Sequence, residues 1–386
     1  MNLKKSLLGI AVVFSAVVLA SCGSSSNKSS SSSSSSKTTT SSKSGSYQVT
    51  GKTNDSEYAG VIKNGKYLTS KSRGVTANQD SNLMNLKSFE TGLQDISKTQ
   101  FSTTKYVFQE GQYLSKSTVE NWLGRKTKSN TTGLNPASNG STEPTKRNPI
   151  YLQSIEEQDY MQKSGSKLKL RGVTIGLAMN SVDYYRKTTY GAQYETDISD
   201  ATLEKEGKAM AKEVLARLRK RAALKNVPIV IALYKQASND SLIGGHYVTY
   251  SVSNGDSIKK WKALDIQNVV FPLKTGETAP NTNDADAFSN FKSEVESFFP
   301  NLSGVTAQAQ YKNGSLQGMN VSITTQFYSE TEIKSFTQFL ADQAEKYLPS
   351  GVKTDITVSS TTDGVQSFLS RKSSGKSFTT HVFGSY

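Results

Sequence analysis

The sequence has few of the residues from which thiol and metal sites are built. Its 386 residues include one cysteine, two histidines and two tryptophans. One cysteine can form neither an internal disulfide nor a cysteine-based metal site. His246 and His381 have no acidic or histidine neighbour at ligand spacing, so we interpret both as structural or surface residues. The composition therefore predicts no metal and no cofactor.

Long hydrophobic runs are scarce as well. The apolar stretch at residues 7–19 is too short to span a bilayer comfortably, since spanning needs about 20 residues. Lys4 and Lys5 precede this stretch, and small residues follow it. A basic start, a short apolar run and small residues at the end are typical of a secretory signal peptide. We predict such a leader over residues 1–21.

The end of this leader, Leu19-Ala20-Ser21-Cys22, resembles a bacterial lipobox. The resemblance implies cleavage between Ser21 and Cys22 and attachment of diacylglyceryl to Cys22, which leaves no free thiol in the mature chain. Two acyl chains give stable membrane anchoring, whereas one gives only marginal binding. An ordinary signal peptide with an incidental cysteine is the alternative. The pattern predicts a lipid-anchored protein on the extracytoplasmic face of the cell membrane.

After Cys22, residues 22–46 consist mainly of serine, threonine, lysine and glycine. Such a segment cannot bury apolar surface, so we expect a disordered tether. The whole chain carries 46 Lys and Arg against 32 Asp and Glu, a net charge of +14. Outside a membrane, this charge favours diffuse contact with anionic lipid or cell-wall polymer over nucleic acid. Simple solubility explains it equally well.

From residue 47 the sequence predicts an α+β fold of antiparallel sheets with helices packed on one face. Asp80 or Ser81 is expected to cap the first helix. Two capping boxes, Ser117–Glu120 and Ser329–Glu332, each predict the start of another helix. Asn-Gly pairs at residues 64–65 and 313–314 predict tight hairpin turns.

An internal duplication is visible in the second half of the chain. The order strand–strand–helix–strand–strand occurs over residues 172–252 and again over residues 304–382, and both copies open with Gly-Val-Thr. We therefore predict three folded regions, an N-terminal α+β region at 47–164, a first repeat unit at 165–280 and a second at 281–386. A hinge between the repeats is expected at residues 274–283.

Several short motifs suggest chemistry, but each has a structural explanation. Ser102 with Lys105, together with Lys274, is similar to motifs of penicillin-binding enzymes, yet that serine must begin a helix. Gly375-Lys376-Ser377 lacks the earlier glycine of a P-loop and leads into a strand. The basic stretch at 217–221 falls where cations favour a helix end. The aromatics, which could line a groove or fill a core, are Tyr106, Phe108, Tyr113 and Trp122.

Five segments carry a resemblance to a known family. They are FETGL at 89–93, YVFQEGQYL at 106–114, WLGR at 122–125, GLNP at 133–136 and GVTIGLAMN at 172–180. On these motifs the body is similar to the CamS family of Gram-positive lipoproteins, also called sex pheromone precursors. In that family the end of the signal peptide is released as a short hydrophobic peptide that elicits a mating response.

The resemblance implies one released peptide and no catalysis. The corresponding heptapeptide here would be Ser15-Ala16-Val17-Val18-Leu19-Ala20-Ser21. The family's lipoprotein body has no established enzymatic role, so we predict a surface-anchored lipoprotein that is not an enzyme. The alternative is an extracytoplasmic binding module for cell-wall or extracellular ligands, with its site in a groove between the two repeats.

Overall fold

A computed structural model describes residues 47–54, 56–77, 85–165, 167–298, 302–327, 329–362 and 364–384. The leader, Cys22, the serine-rich segment and the expected cap at Asp80 or Ser81 lie outside these residues. Within them, no helix combines the length and hydropathy needed to cross a membrane.

The helices of the described residues are α1 Leu86–Lys98, α2 Lys116–Leu123, α3 Asp200–Arg219, α4 Thr282–Phe298 and α5 Glu330–Tyr347. Side-chain caps explain where four of them begin, including α3, which Ser199 caps. Asn85 caps α1, because its Oδ1 accepts the backbone N–H of Ser88 at 3.0 Å. Ser115, not Ser117, caps α2, so this helix starts earlier than predicted. The capping box at the start of α5 is confirmed.

The strands of the described residues are β1 Tyr47–Val49, β2 Val61–Lys63, β3 Lys66–Tyr67, β4 Val107–Glu110, β5 Leu152–Ser164, β6 Lys167–Met179, β7 Val182–Arg186, β8 Gln193–Asp197, β9 Ile229–Lys235, β10 His246–Ser253, β11 Lys262–Ala263, β12 Ile266–Phe271, β13 Leu302–Lys312, β14 Ser315–Thr325, β15 Lys353–Ser360, β16 Gly364–Arg371 and β17 Thr379–Val382. Both predicted Asn-Gly turns are present, with positive φ at each residue as this hairpin turn requires.

These strands form two sheets of six, which confirms the α+β fold. The first sheet has the order β11-β10-β9-β6-β5-β4, and the second has the order β12-β13-β14-β15-β16-β17. Neighbouring strands are antiparallel except for one central parallel pair in each sheet, β6 with β9 and β14 with β15. The parallel pairs arise because a helix carries the chain across the sheet between those strands. A three-stranded sheet, β1-β2-β3, and the β7–β8 hairpin stand apart.

The duplication is present, but the strands match differently from the predicted alignment. By hydrogen-bonded order, β5-β6-α3-β9-β10 corresponds to β13-β14-α5-β15-β16. The two Gly-Val-Thr segments are therefore not equivalent, since Gly172 lies in β6 and Gly304 lies in β13. The predicted copies omitted β5 and β16, because neither strand shows the simple alternation that marks a half-buried strand.

The chain passes from one sheet to the other without a long linker. Leu264 donates its backbone N–H to Val248 of the first sheet, and Asp265 accepts from Asn313 beside the second. The predicted hinge at 274–283 instead connects β12 with α4 inside the second repeat, and β12 pairs with β13 and not with the first sheet. The domain limits at 164 and 280 stay a prediction.

Helices cover the two sheets unequally. Residues of α2 and α3 pack on one face of the first sheet, and Phe89, Leu93 and Ile96 of α1 pack on its other face. The prediction of helices on one face is therefore wrong for this sheet. In the second sheet α4 and α5 share a core with one face, while the opposite face carries exposed and half-buried polar side chains. Antiparallel sheets commonly leave one face to solvent in this way.

Candidate functional site

An open groove lies where α1 and β10 meet the uncovered face of the second sheet. We call it the inter-sheet groove, and its volume is about 580 Å³. It joins parts of both repeats, as the predicted binding site between them requires. Among the residues that line it are Thr91, Asp95, His246, Tyr250, Gln310 and Asn320.

The second sheet contributes a row of polar side chains because its strands alternate. Val305, Ala307 and Ala309 are buried in the core beneath α4 and α5. Gln308 and Gln310 therefore project from the opposite face toward the groove.

Side-chain amides connect this wall to the first sheet. Gln308 donates from Nε2 to the carbonyl of Leu242 at 3.0 Å. Asn268 donates from Nδ2 to the carbonyls of Gly244 and Gly245, at 3.1 Å to each. All three carbonyls precede β10, so one short segment ties this wall of the groove to the first sheet.

The opposite wall is α1, which lies unusually close to β10. A Cβ atom at Gly92 would come 2.8 Å from Cδ2 of Tyr247, so only glycine allows this approach. The Tyr247 hydroxyl donates to the carbonyl of Phe89 at 2.9 Å, one turn earlier in the helix. Gly92 and Phe89 belong to the FETGL motif, and the motif thus fixes the position of the wall.

The lining is mostly uncharged. Lys87, Lys312 and Asp95 carry charge, while the remaining polar groups are amides and hydroxyls. Burial lowers the pKa of His246, the nearby Lys235 lowers it further, and Asp200 opposes both, so this imidazole is neutral at pH 7. Neutral donors and acceptors beside tyrosine rings suit a polar, uncharged ligand better than a polyanion.

A second unusual feature lies on β5, where four consecutive polar residues are buried. Glu156, Glu157, Gln158 and Asp159 are each exposed by 4 % or less. Their side chains alternate between the two faces of the first sheet. Glu157 accepts the backbone N–H of Leu114 at 2.6 Å, and Asp159 accepts that of Gln112 at 3.0 Å.

Glu157 and Asp159 act as a coupled pair. Burial raises the pKa of Asp159 well above its usual range, and the neighbouring charge of Glu157 raises it further. Burial also raises the pKa of Glu157, although the backbone N–H groups of Leu114 and Tyr113 oppose that change. We therefore place the proton of the pair on Asp159.

Sequence reasoning missed these carboxylates. They were not recognised because four polar residues in a row contradict the alternation expected of a half-buried strand. The apolar residues on both sides, Leu152 and Ile155 before them and Tyr160 and Met161 after them, were the available signal of a buried strand.

The short motifs that suggested catalysis, nucleotide binding or metal binding do not have the arrangement that this chemistry requires. Ser102 lies in a turn after α1 and not at the start of a helix, as a penicillin-binding site would require. No helix follows Gly375-Lys376-Ser377. His246 and His381 lie in different sheets. No group of three His, Cys, Asp or Glu residues in the described part of the chain is arranged to hold a metal.

The aromatic and basic candidates also stabilise the fold. Trp122 is buried in the core that α2 and α3 form with the first sheet. Phe108 packs on the other face of that sheet, in the core that contains Tyr160. Within the basic stretch, Arg219 is buried and donates to the carbonyls of Leu224 at 2.6 Å and Val227 at 2.7 Å. These contacts agree with the structural interpretation of that stretch.

Comparison with known proteins identifies the family. The family model described as CamS sex pheromone cAM373 precursor matches residues 67–377. The chain belongs to the CamS family. This match includes the first six-stranded sheet, the second one except for its edge strand β17, and every motif on which the resemblance was based. No curated protein matches the sequence.

Two solved structures are similar to this CamS chain. One is the sex pheromone precursor from Lactobacillus salivarius subsp. salivarius UCC118, with 54% identity, a TM-score of 0.84, and coverage of 88% of this chain and 100% of that one. The other is the C-terminal domain of the sex pheromone staph-cAM373 precursor from Staphylococcus aureus, with 29% identity, a TM-score of 0.68, and coverage of 79% and 98% respectively. Both agree with the α+β fold.

Proposed function

We propose that this chain is a lipid-anchored surface protein whose leader releases a pheromone-like peptide. Membership of a family described as a sex pheromone precursor carries the proposal. The lipobox-like end of the leader supports it, because cleavage before Cys22 would both free the leader and leave an acylated mature chain. The released peptide would comprise residues 15–21, which are apolar enough to fill a receptor groove.

The intact mass of the protein extracted from membranes tests the anchor. The expected mass is that of a chain beginning at Cys22 with acyl chains attached, and Cys22→Ala should abolish both the modification and membrane retention. Ser24→Ala is the matched control and should leave the mass otherwise unchanged. An unacylated or uncleaved product would contradict the anchor and the release of the leader together.

Peptide release needs a separate measurement. Mass spectrometry of culture medium should detect the heptapeptide of residues 15–21 from cells that make the full chain. It should be absent with Cys22→Ala. An acylated mature protein without the peptide would retain the lipoprotein and refute the precursor role.

The proposal includes no enzymatic activity for the body. The position of Ser102 in a turn supports this, since the catalytic serine of penicillin-binding enzymes begins a helix. Incubation with a labelled penicillin should give no covalent adduct. A stoichiometric adduct that Ser102→Ala removes would overturn this part.

A second candidate function is favoured by the inter-sheet groove. Its amides, hydroxyls and tyrosine rings fit an extracytoplasmic module that binds a cell-wall or extracellular ligand. Soluble fragments released from cell walls by a muramidase provide a direct probe. Gln310→Ala should weaken their binding, whereas Thr379→Ala, in the far edge strand β17, should not. Equal binding by both variants would exclude the groove.

A further inference from the structure

A narrow cleft on the α1 side of β5 has more negative than positive side chains. We call it the carboxylate cleft, and its volume is about 190 Å³. Glu156 of β5, Glu110 of β4 and Glu90 of α1 line it, together with Arg73 from the turn before α1. The cleft is separate from the inter-sheet groove and involves no residue of the leader.

Arg73 forms ion pairs with two of the three carboxylates. Its Nη2 lies 3.0 Å from Oε1 of Glu110 and 3.4 Å from Oε1 of Glu90. Glu110 also accepts the backbone N–H of Ser70 at 2.6 Å. Glu110 is therefore well satisfied, whereas Oε1 of Glu90 makes no hydrogen bond although Arg73 is near.

Glu156 is the carboxylate without a partner. It is 4 % exposed and lines the cleft. No described residue within the cleft, Arg73 included, forms a hydrogen bond or ion pair with it. A buried carboxylate without a partner is costly, so a protein keeps one only where something compensates for it.

The charges that act on Glu156 come from α1, β4, β5 and the turn before α1. Burial raises its pKa most, and the negative charges of Glu90, Glu110 and Glu157 raise it further, while Arg73 opposes them. Burial also raises the pKa of Glu90. The pKa of Glu156 is therefore raised well above the usual range of a glutamate, which favours its protonated form. A cation that entered would supply the missing charge and displace that proton.

The shape and walls of the cleft indicate the kind of cation. The described residues contain no arrangement of three metal-ligating side chains, so the carboxylates are not placed around a metal ion. The rings of Tyr67 and Phe108 border the cleft beside the carboxylates. Aromatic faces attract organic cations, and carboxylates accept the N–H groups of an ammonium. The small volume admits a compact head group.

We propose that the carboxylate cleft binds a primary ammonium group, such as the amine of an amino acid side chain, with Glu156 as its principal partner. The positive charge of Arg73 lies beside the carboxylates of the cleft, so Arg73 competes with the ligand for them. The proposal is independent of lipid anchoring, of peptide release and of the groove.

Isothermal titration of the mature chain with n-propylammonium tests this, with sodium chloride at matched ionic strength and n-propanol as the neutral analogue. We expect saturable binding of the amine and none of the alcohol. Because Glu156 loses its proton, binding measured in buffers of different ionisation enthalpy should release about 0.5–1 proton. Equal binding of n-propanol, or no binding of the amine at about 50 mM, would overturn the proposal.

Two variants make opposite predictions. Glu156→Gln keeps the shape, and it should weaken amine binding by at least about tenfold and abolish proton release. Arg73→Gln removes the competing cation and should tighten binding. Glu120→Gln, at an exposed position of α2, is the matched control and should change nothing. If Glu156→Gln bound the amine as the unmodified chain does while remaining folded, the assignment would be wrong.

Discussion

The first and second sheets have the same order of strands but different surroundings. In the first, α1 covers the face opposite α2 and α3, and the central strands are buried on both sides. In the second, no helix of the described residues shares a core with the corresponding face, and polar side chains alternate with apolar ones along β13 to β16. The helix α1, which precedes the repeat, thus gives the first sheet a second buried face, and Glu156 lies on that face.

The largest effect should come from removing an anchor of that extra layer. Phe89 of α1 is fully buried, and its ring centroid lies 5.1 Å from that of Tyr234. Phe89→Ala should lower the free energy of unfolding by about 3–5 kcal/mol. Phe298→Ala, at a position 42% exposed, should cost about 1 kcal/mol or less. Urea unfolding measures both, and equal costs would mean that α1 adds little to the first sheet.

The next largest effect concerns the first Gly-Val-Thr segment. A Cβ atom at Gly172 would lie 2.1 Å from Cε1 of the buried Phe101, whose ring stacks on Tyr160 at 4.7 Å. Gly172→Ala should therefore destabilise the fold by about 1–3 kcal/mol through overpacking. The urea midpoint should fall with little change in slope. An unchanged midpoint would show that Phe101 moves aside without cost.

The pH dependence of stability separates the two sheets in another way. The pKa of Asp159 is raised in the folded chain, so the folded state holds a proton that the unfolded state has lost. Its contribution is fully present below the ordinary pKa of an aspartate and is lost as pH rises through the folded pKa. Between the ordinary pKa of an aspartate and the raised folded pKa, the free energy of unfolding falls as pH rises, and Asp159→Asn should reduce that slope by up to about 1.4 kcal/mol per pH unit. If the variant and the unmodified chain had identical slopes, the proton would not be on Asp159.

The smallest effect is expected at the second Gly-Val-Thr segment. No atom lies within 4 Å of a Cβ built on Gly304. Gly304→Ala should change the free energy of unfolding by no more than about 0.5 kcal/mol. It is the matched control for Gly172→Ala, and a large loss at Gly304 would contradict the difference between the two sheets.

The sequence predicted features that depend on local chemistry. The Asn-Gly turns at 64–65 and 313–314 need positive φ, and the Ser329–Glu332 box satisfies the first N–H groups of α5, so neighbouring residues suffice to predict them. The groove between the repeats was also foreseen, although its lining depends on which face of β13 is uncovered. That choice is made by α4 and α5, far along the chain.

Other features could not be predicted because distant residues determine them. The identical Gly-Val-Thr segments suggested a false alignment, since only hydrogen bonding shows that β6 matches β14. The carboxylates of β5 were not predicted to lie in a buried strand, because consecutive polar residues do not alternate with apolar ones. Backbone N–H groups of Gln112, Tyr113 and Leu114, about 45 residues earlier, make their burial tolerable.

The passage between the sheets at Leu264 and Asp265 has a mechanical consequence. Each of these two residues is bonded through its backbone to a different sheet, and Asn268 adds a side-chain connection three residues later. No flexible residues separate the two bonded positions in this junction, so a force applied to one sheet is transmitted directly to the other. The two repeats should tumble in solution with a single rotational correlation time, and the inter-sheet groove should keep its width as they do so.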